Sequence, residues 1–102
     1  MDISLNYFNK VYLPIIKENY KVTFTSFKEG EVLGFGDLER VEVEDSKILG
    51  GIEFWSSGWL NIHLINLENN EEILNSLVAP DNYMNKIELL EFFFRKLMEL
   101  KA

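Results

Sequence analysis

The chain has 102 residues, 17 of them acidic and 10 basic, for a formal net charge of −7. That length suits one domain, and a composition 47% hydrophobic and 14% aromatic is that of a folded chain, not a disordered one. With no cysteine and one histidine, His63, disulfides, thiolate metal sites and any intrachain site needing two imidazoles are excluded, and the acidity argues against nucleic acid or an anionic membrane as partner, since both need phosphate charge neutralised by Lys and Arg.

The N-terminal stretch spaces Ile3, Tyr7, Phe8, Val11, Tyr12, Ile15 and Ile16 as one face of a helix. Asp2 or Ser4 caps its start, Pro14 kinks it or opens a new turn near residue 13, and Asn19 closes it. Asp2 and Lys10 interrupt this start, which lacks the apolar core of a secretory signal, and no run approaches a membrane span. We therefore expect a soluble, cytoplasmic protein.

Lys21 to Phe27 alternates Val22 and Phe24 with Thr23 and Thr25, the pattern of a strand. Lys28-Glu29-Gly30 reads as a turn and Glu31 to Gly36 as a weak strand with two glycines. Asp37 to Glu44 is a clearer strand, with Val41 and Val43 facing one way and Arg40, Glu42 and Glu44 the other. Glu44-Asp45-Ser46-Lys47 turns the chain.

The next segment is the most informative. Ile52 and Phe54 alternate with Glu53 and Trp55, and Leu60, Ile62 and Leu64 alternate with Trp59, Asn61 and His63. Directly opposed residues of an antiparallel pair share a face. Placing both apolar sets on one face requires Phe54 opposite Leu60 and Ile52 opposite Ile62, which leaves the loop Ser56-Ser57-Gly58. A three-residue hairpin loop commonly carries a positive φ, which Gly58 supplies without steric cost. On the other face, Trp55 then stands opposite Trp59, Glu53 opposite Asn61 and Gly51 opposite His63.

Glu68 to Glu72 is a polar turn. Ile73 to Ala79 reads as a strand ending at Pro80, although Ile73, Leu74, Leu77 and Val78 also fit one helical face. From about Asn82 to Lys101 a helix follows, with Asp81 as its cap. Its apolar half-circle holds Ile87, Leu89, Leu90, Phe93, Phe94, Leu97, Met98 and Leu100. Glu91 and Arg95 are spaced as a helix-stabilising pair, and Phe92 falls among polar residues. The fold expected is a single α+β domain over residues 1–102, with an antiparallel sheet of about five strands flanked by an N-terminal and a C-terminal helix.

Charge is uneven. Residues 29–81 carry twelve acids against Arg40 and Lys47, whereas both ends are slightly basic. Candidate chemistry is sparse. A Ser-His-Asp site would have to use His63, and no Gly-x-Ser-x-Gly elbow exists, so Ser56 and Ser57 read as turn residues. Glu53 and His63 offer two metal ligands where a site wants three or four. Gly34-Phe35-Gly36 lacks the third glycine of a dinucleotide loop, which would fall at Glu39. The carboxylates Glu39, Glu42, Glu44 and Asp45 form a solvated face or one that steers a basic partner. Trp55 and Trp59 are the sharpest feature: either a helix layer covers them or they are an aromatic anchor for a partner.

Gly36-Asp37-Leu38-Glu39-Arg40-Val41-Glu42-Val43, followed by Gly50-Gly51-Ile52-Glu53-Phe54-Trp55-Ser56-Ser57-Gly58-Trp59-Leu60 and by a strand ending Leu77-Val78-Ala79-Pro80, resembles the small bacterial immunity proteins of contact-dependent growth inhibition and related polymorphic toxin systems. The resemblance spans roughly residues 21–80. It implies a stoichiometric inhibitor (an antitoxin) that binds the C-terminal toxin domain of a large secreted protein, often a basic, tRNA-cleaving nuclease. It implies no catalytic residue, cofactor or metal. The residues expected to meet the toxin are Glu39, Glu42, Glu44, Asp45, Glu53, Trp55 and Trp59. Two other readings compete: a small ligand-binding domain or enzyme using the Trp55, Trp59, Glu53 and His63 face, and a homodimer joined through sheet edges or Phe92.

Overall fold

A computed structural model describes residues 4–28 and 36–101. The elements are α1 (Leu5–Val11), α2 (Leu13–Ile16), β1 (Lys21–Phe27), β2 (Leu38–Glu44), β3 (Ile48–Trp55), β4 (Leu60–Asn66), β5 (Glu71–Val78) and α3 (Tyr83–Lys101). The strands form one antiparallel sheet in the order β1-β2-β3-β4-β5. The α+β architecture is the one expected. The strand expected over residues 31–36 lies outside the described residues except for Gly36, as do Asp2 and most of the turn at 28–30.

The N-terminal helix is broken in two. Tyr12 sits at the junction, donating its N–H to Phe8 O at 2.9 Å and accepting from the Ile15 and Ile16 amides. Pro14 lies in the first turn of α2, where an amide has no intrahelical partner and its loss costs nothing. Ser4 occupies the cap position of α1 without a side-chain capping bond, and Asn19 Nδ2 closes α2 on Ile15 O at 3.1 Å.

Two expectations for α3 are corrected. Its cap is Asn82, not Asp81: because Tyr83 is the first helical residue, the Asn82 Oδ1 is the atom placed to accept from the Asn85 amide, at 3.4 Å. Glu91 does not pair with Arg95. Its Oε1 accepts from the Tyr12 hydroxyl at 2.7 Å, and Arg95 lies instead 4.0 Å from Glu99. Burial first, then the Glu91 carboxylate, push the Tyr12 phenol well above its ordinary value.

The sheet registers place Val41, Val43, Ile48, Ile52, Phe54, Leu60, Ile62, Leu64 and Val78 in one buried cluster with Phe8, Tyr12 and Ile16 of the short helices and Leu90, Phe93 and Leu97 of α3. Both helical segments therefore lie on the same face. α3 runs over β4 and β5, and Phe8 meets Phe54 with 6.2 Å between ring centroids. The helices also hold each other: the Tyr12 and Phe94 rings stand 5.1 Å apart, and the buried Tyr20 hydroxyl donates to Leu97 O at 2.5 Å. Burial, with the Asp45 charge adding to it, pushes the Tyr20 phenol up to about 12, so it remains a donor at neutral pH.

Phe93 reaches the sheet because Gly50 has no side chain. A Cβ there would stand 3.0 Å from Phe93 Cε2 and 3.0 Å from Leu64 Cδ1. Gly50→Val should destabilise the protein by at least ~1–3 kcal/mol, the usual cost of overpacking, read as a lowered denaturant midpoint. An unchanged midpoint would mean that α3 sits further from β3 than described.

Candidate interaction face

With both helical segments on one face, the described residues of the other face belong to the strands. The observed β3–β4 register pairs Phe54 with Leu60, Glu53 with Asn61 and Gly51 with His63, as the apolar alternation predicts. Combined with the other registers, it arranges this outer face in rows across the strands. One row runs Phe27, Leu38, Trp55, Trp59. The next runs Thr25, Arg40, Glu53, Asn61, Leu77, and a third runs Thr23, Glu42, Gly51, His63, Asn75.

The first row is aromatic and partly packed. Leu38 is only 6% exposed, yet it is not part of the helix-side cluster. Its neighbours in the row are Phe27 and Trp55. Trp55 and Trp59 are half-buried.

The second row is an ordered polar network. Arg40 donates to Glu53 Oε2 from Nη2 at 2.6 Å and from Nε at 3.1 Å, and Asn61 Nδ2 donates to Glu53 Oε1 at 2.9 Å. The Arg40 guanidinium also lies 5.3 Å from the Phe27 ring centroid, within cation–π range. Burial pushes the Glu53 carboxyl up, but the hydrogen bonds from Arg40 and Asn61 and the Arg40 charge outweigh it and hold the group below its ordinary value. In the third row the His63 ring lies against Gly51, where a Cβ would stand 2.5 Å from His63 Cε1. Among the described residues no three His, Asp or Glu side chains converge as metal ligands.

The hairpin tip bearing the tryptophans is fixed from two sides. The Trp55 amide donates to Trp59 O at 3.0 Å, and Gly58 takes φ +101°, the left-handed conformation expected of the loop. Ser56 is tied to the entry of β2: its amide donates to Asp37 O and its Oγ accepts from the Asp37 amide, both at 2.8 Å. On the far side Lys86 of α3, 3% exposed, donates from Nζ to Gly58 O at 2.6 Å and Pro80 O at 3.1 Å.

Of the residues expected to meet a partner, Glu42, Glu44, Glu53, Trp55 and Trp59 share the outer face. Glu44 lies 3.8 Å from Lys21, both exposed. Glu39 stands opposite Phe54, hence on the helix side of the sheet, but it is exposed there. Asp45 belongs to the β2–β3 turn, where Oδ1 accepts from the Lys47 and Ile48 amides at 2.8 and 2.9 Å. Sequence reasoning passed over Lys86. Its signal was its spacing: positions 86, 90, 93 and 97 form one helical stripe, and Leu90, Phe93 and Leu97 are all buried.

A cleft of about 110 Å³ opens between the start of α1 and the hairpin tip, lined by Ser4, Leu5, Glu39, Phe54, Trp55, Ser56, Gly58 and Trp59. A shallow depression of about 470 Å³ runs along the outer flank of α3, and its described lining residues all belong to that helix. No protein-family model, curated protein or solved structure matches the chain.

Glu53→Gln should cost about 1.5–3 kcal/mol at neutral pH, the range for hydrogen bonds to charged groups. Because the folded carboxyl titrates below its unfolded value, this stability is present above the unfolded value and lost as pH falls through the folded one. Thermal melts of the two proteins should therefore converge in acid, and a constant gap would contradict the network. Lys86→Met should cost about 1–3 kcal/mol by stranding two carbonyls and shift tryptophan emission. Loss of stability with an unaltered emission spectrum would detach Lys86 from the Trp55–Trp59 tip.

Proposed function

We propose that this is an immunity protein that neutralises the C-terminal toxin domain of a contact-dependent growth inhibition system by stoichiometric binding. The toxin expected is a basic nuclease, and tRNA is the expected target of its cleavage. The observation that carries the reading is the outer sheet face: an aromatic row fixed at a hairpin tip, next to an ordered Arg40–Glu53–Asn61 network and the carboxylates of β2. Aromatic anchors within a polar rim are the usual composition of binding hot spots. The net charge of −7 supports a basic partner, because opposite charge speeds encounter and disfavours wrong partners. The resemblance over residues 21–80 points the same way.

The competing ligand-binding reading draws less support. Pockets for small molecules usually hold about 300–1,000 Å³, whereas the cleft beside the tryptophans holds about 110 Å³. That is room for a side chain from a partner, not for a typical metabolite.

Calorimetry against the toxin domain encoded directly upstream, carrying a disabled active site, tests the proposal. A one-to-one complex that weakens with salt is expected. Trp59→Ala should cost at least ~2 kcal/mol of binding, as hot spots do. Glu42→Lys with Glu44→Lys should act mainly by slowing association. Asp45 is left intact in this test because its carboxylate holds the turn. Absence of heat and of co-elution would overturn the reading.

A further inference from the structure

The two edges of the sheet are unlike. β5 carries Glu71 and Glu72, and its pairing to β4 slips between Leu64 and Ile65. Charged side chains, lysine above all, and bulges are the usual means of discouraging an edge from pairing with another chain. β1 has no bulge, and its one charged residue, Lys21, stands at its first position beside Glu44 of β2. Its seven residues, Lys21 to Phe27, contain no acid and no proline, and its register to β2 is unbroken. Phe24 and Phe27 are 48% and 46% exposed, and α3 lies over β4 and β5, at the opposite end of the sheet.

We propose that β1 pairs antiparallel with β1 of a second copy, about a two-fold axis through Phe24. This inference stands apart from the toxin reading. What selects a second copy as occupant is the strand's self-complementarity. In this register Phe24 faces Phe24, Thr23 faces Thr25, Val22 faces Ser26 and Lys21 faces Phe27. Aromatic pairs and Thr–Thr pairs are favourable cross-strand partners, and the Lys21 ammonium meets the second copy's Phe27 ring. No like charges oppose each other, and each flanking lysine already stands beside an acid of its own chain, Lys21 near Glu44 and Lys28 near Asp37. A closed two-fold contact of this kind is isologous and stops at two copies. It puts both helix layers on one side and leaves both outer faces open. The contact is one strand wide, so the dimer is a weak, concentration-dependent one.

Sedimentation velocity over a concentration series tests this. The wild type should pass from one copy to two. Phe24→Lys and Phe24→Glu should each stay monomeric, because they set like charges face to face at the axis, and mixing the two should restore a dimer. Hydrogen exchange of the wild type needs no variant: amides of Lys21–Phe27 should gain protection with concentration while those of β5 do not. A wild type monomeric throughout, a dimeric Phe24→Lys, or a mixture that fails to dimerise would each overturn the proposal. So would a mass that climbs past two copies, which would assign the contact to β1 against β5.

Discussion

The pairing of Phe54 with Leu60 across Ser56-Ser57-Gly58 determines which side chains meet the helices and which meet solvent. A side chain's face alternates with every residue, so a slip of one position would send one of the two apolar sets outward, either Ile52 and Phe54 or Leu60 and Ile62, and bring Glu53 or Asn61 into the core. The positive φ of Gly58 permits the loop, and Lys86 holds it from the helix side. The remaining strands extend this central hairpin outward, and the core cluster follows from it.

The same constraint creates the outer face. Once the apolar set is committed to one side, α1, α2 and α3 all pack there, joined by Tyr12 to Glu91 and Tyr20 to Leu97. The opposite side then displays whatever lies at the alternate positions: tryptophans at the tip, an ion pair in the middle, His63 over Gly51 and carboxylates along β2. The half-buried Arg40–Glu53 pair is held to a single geometry by Asn61. A polar group ordered before binding loses less freedom on association than a mobile one. Order of that kind suits recognition of a protein surface.

Much of this was legible in the residues because it rests on short-range rules. Period-two alternation located β1 to β4, and the need to bury both apolar sets fixed the β3–β4 register together with the opposition of Trp55 and Trp59. The end of β5 followed from Pro80. What escaped depends on contacts distant in sequence. Which face the helices cover decides whether the tryptophan row is core or surface, and no local pattern encodes it. Glu91 has a local partner at Arg95 by spacing, but Tyr12, 79 residues away, takes it. Lys86 was passed over because a lysine counts as polar, although it sits on the buried stripe with Leu90 and Phe93. Asp45 is a local exception: the sequence placed it in a turn and among the surface acids, and its carboxylate closes that turn on the nearby Lys47 and Ile48 amides.

Under the proposed function, the outer sheet face is the binding face. Titrating the proposed partner, a toxin domain encoded directly upstream with its active site disabled, into the isotopically labelled protein and following the labelled amide and indole resonances tests that directly. Shifts should gather at Leu38, Trp55 and Trp59, with both indole signals among the first to move, while Glu88, Phe92 and Arg95 on the outer flank of α3 stay in place. Shifts confined to that flank, with both indoles unmoved, would contradict it.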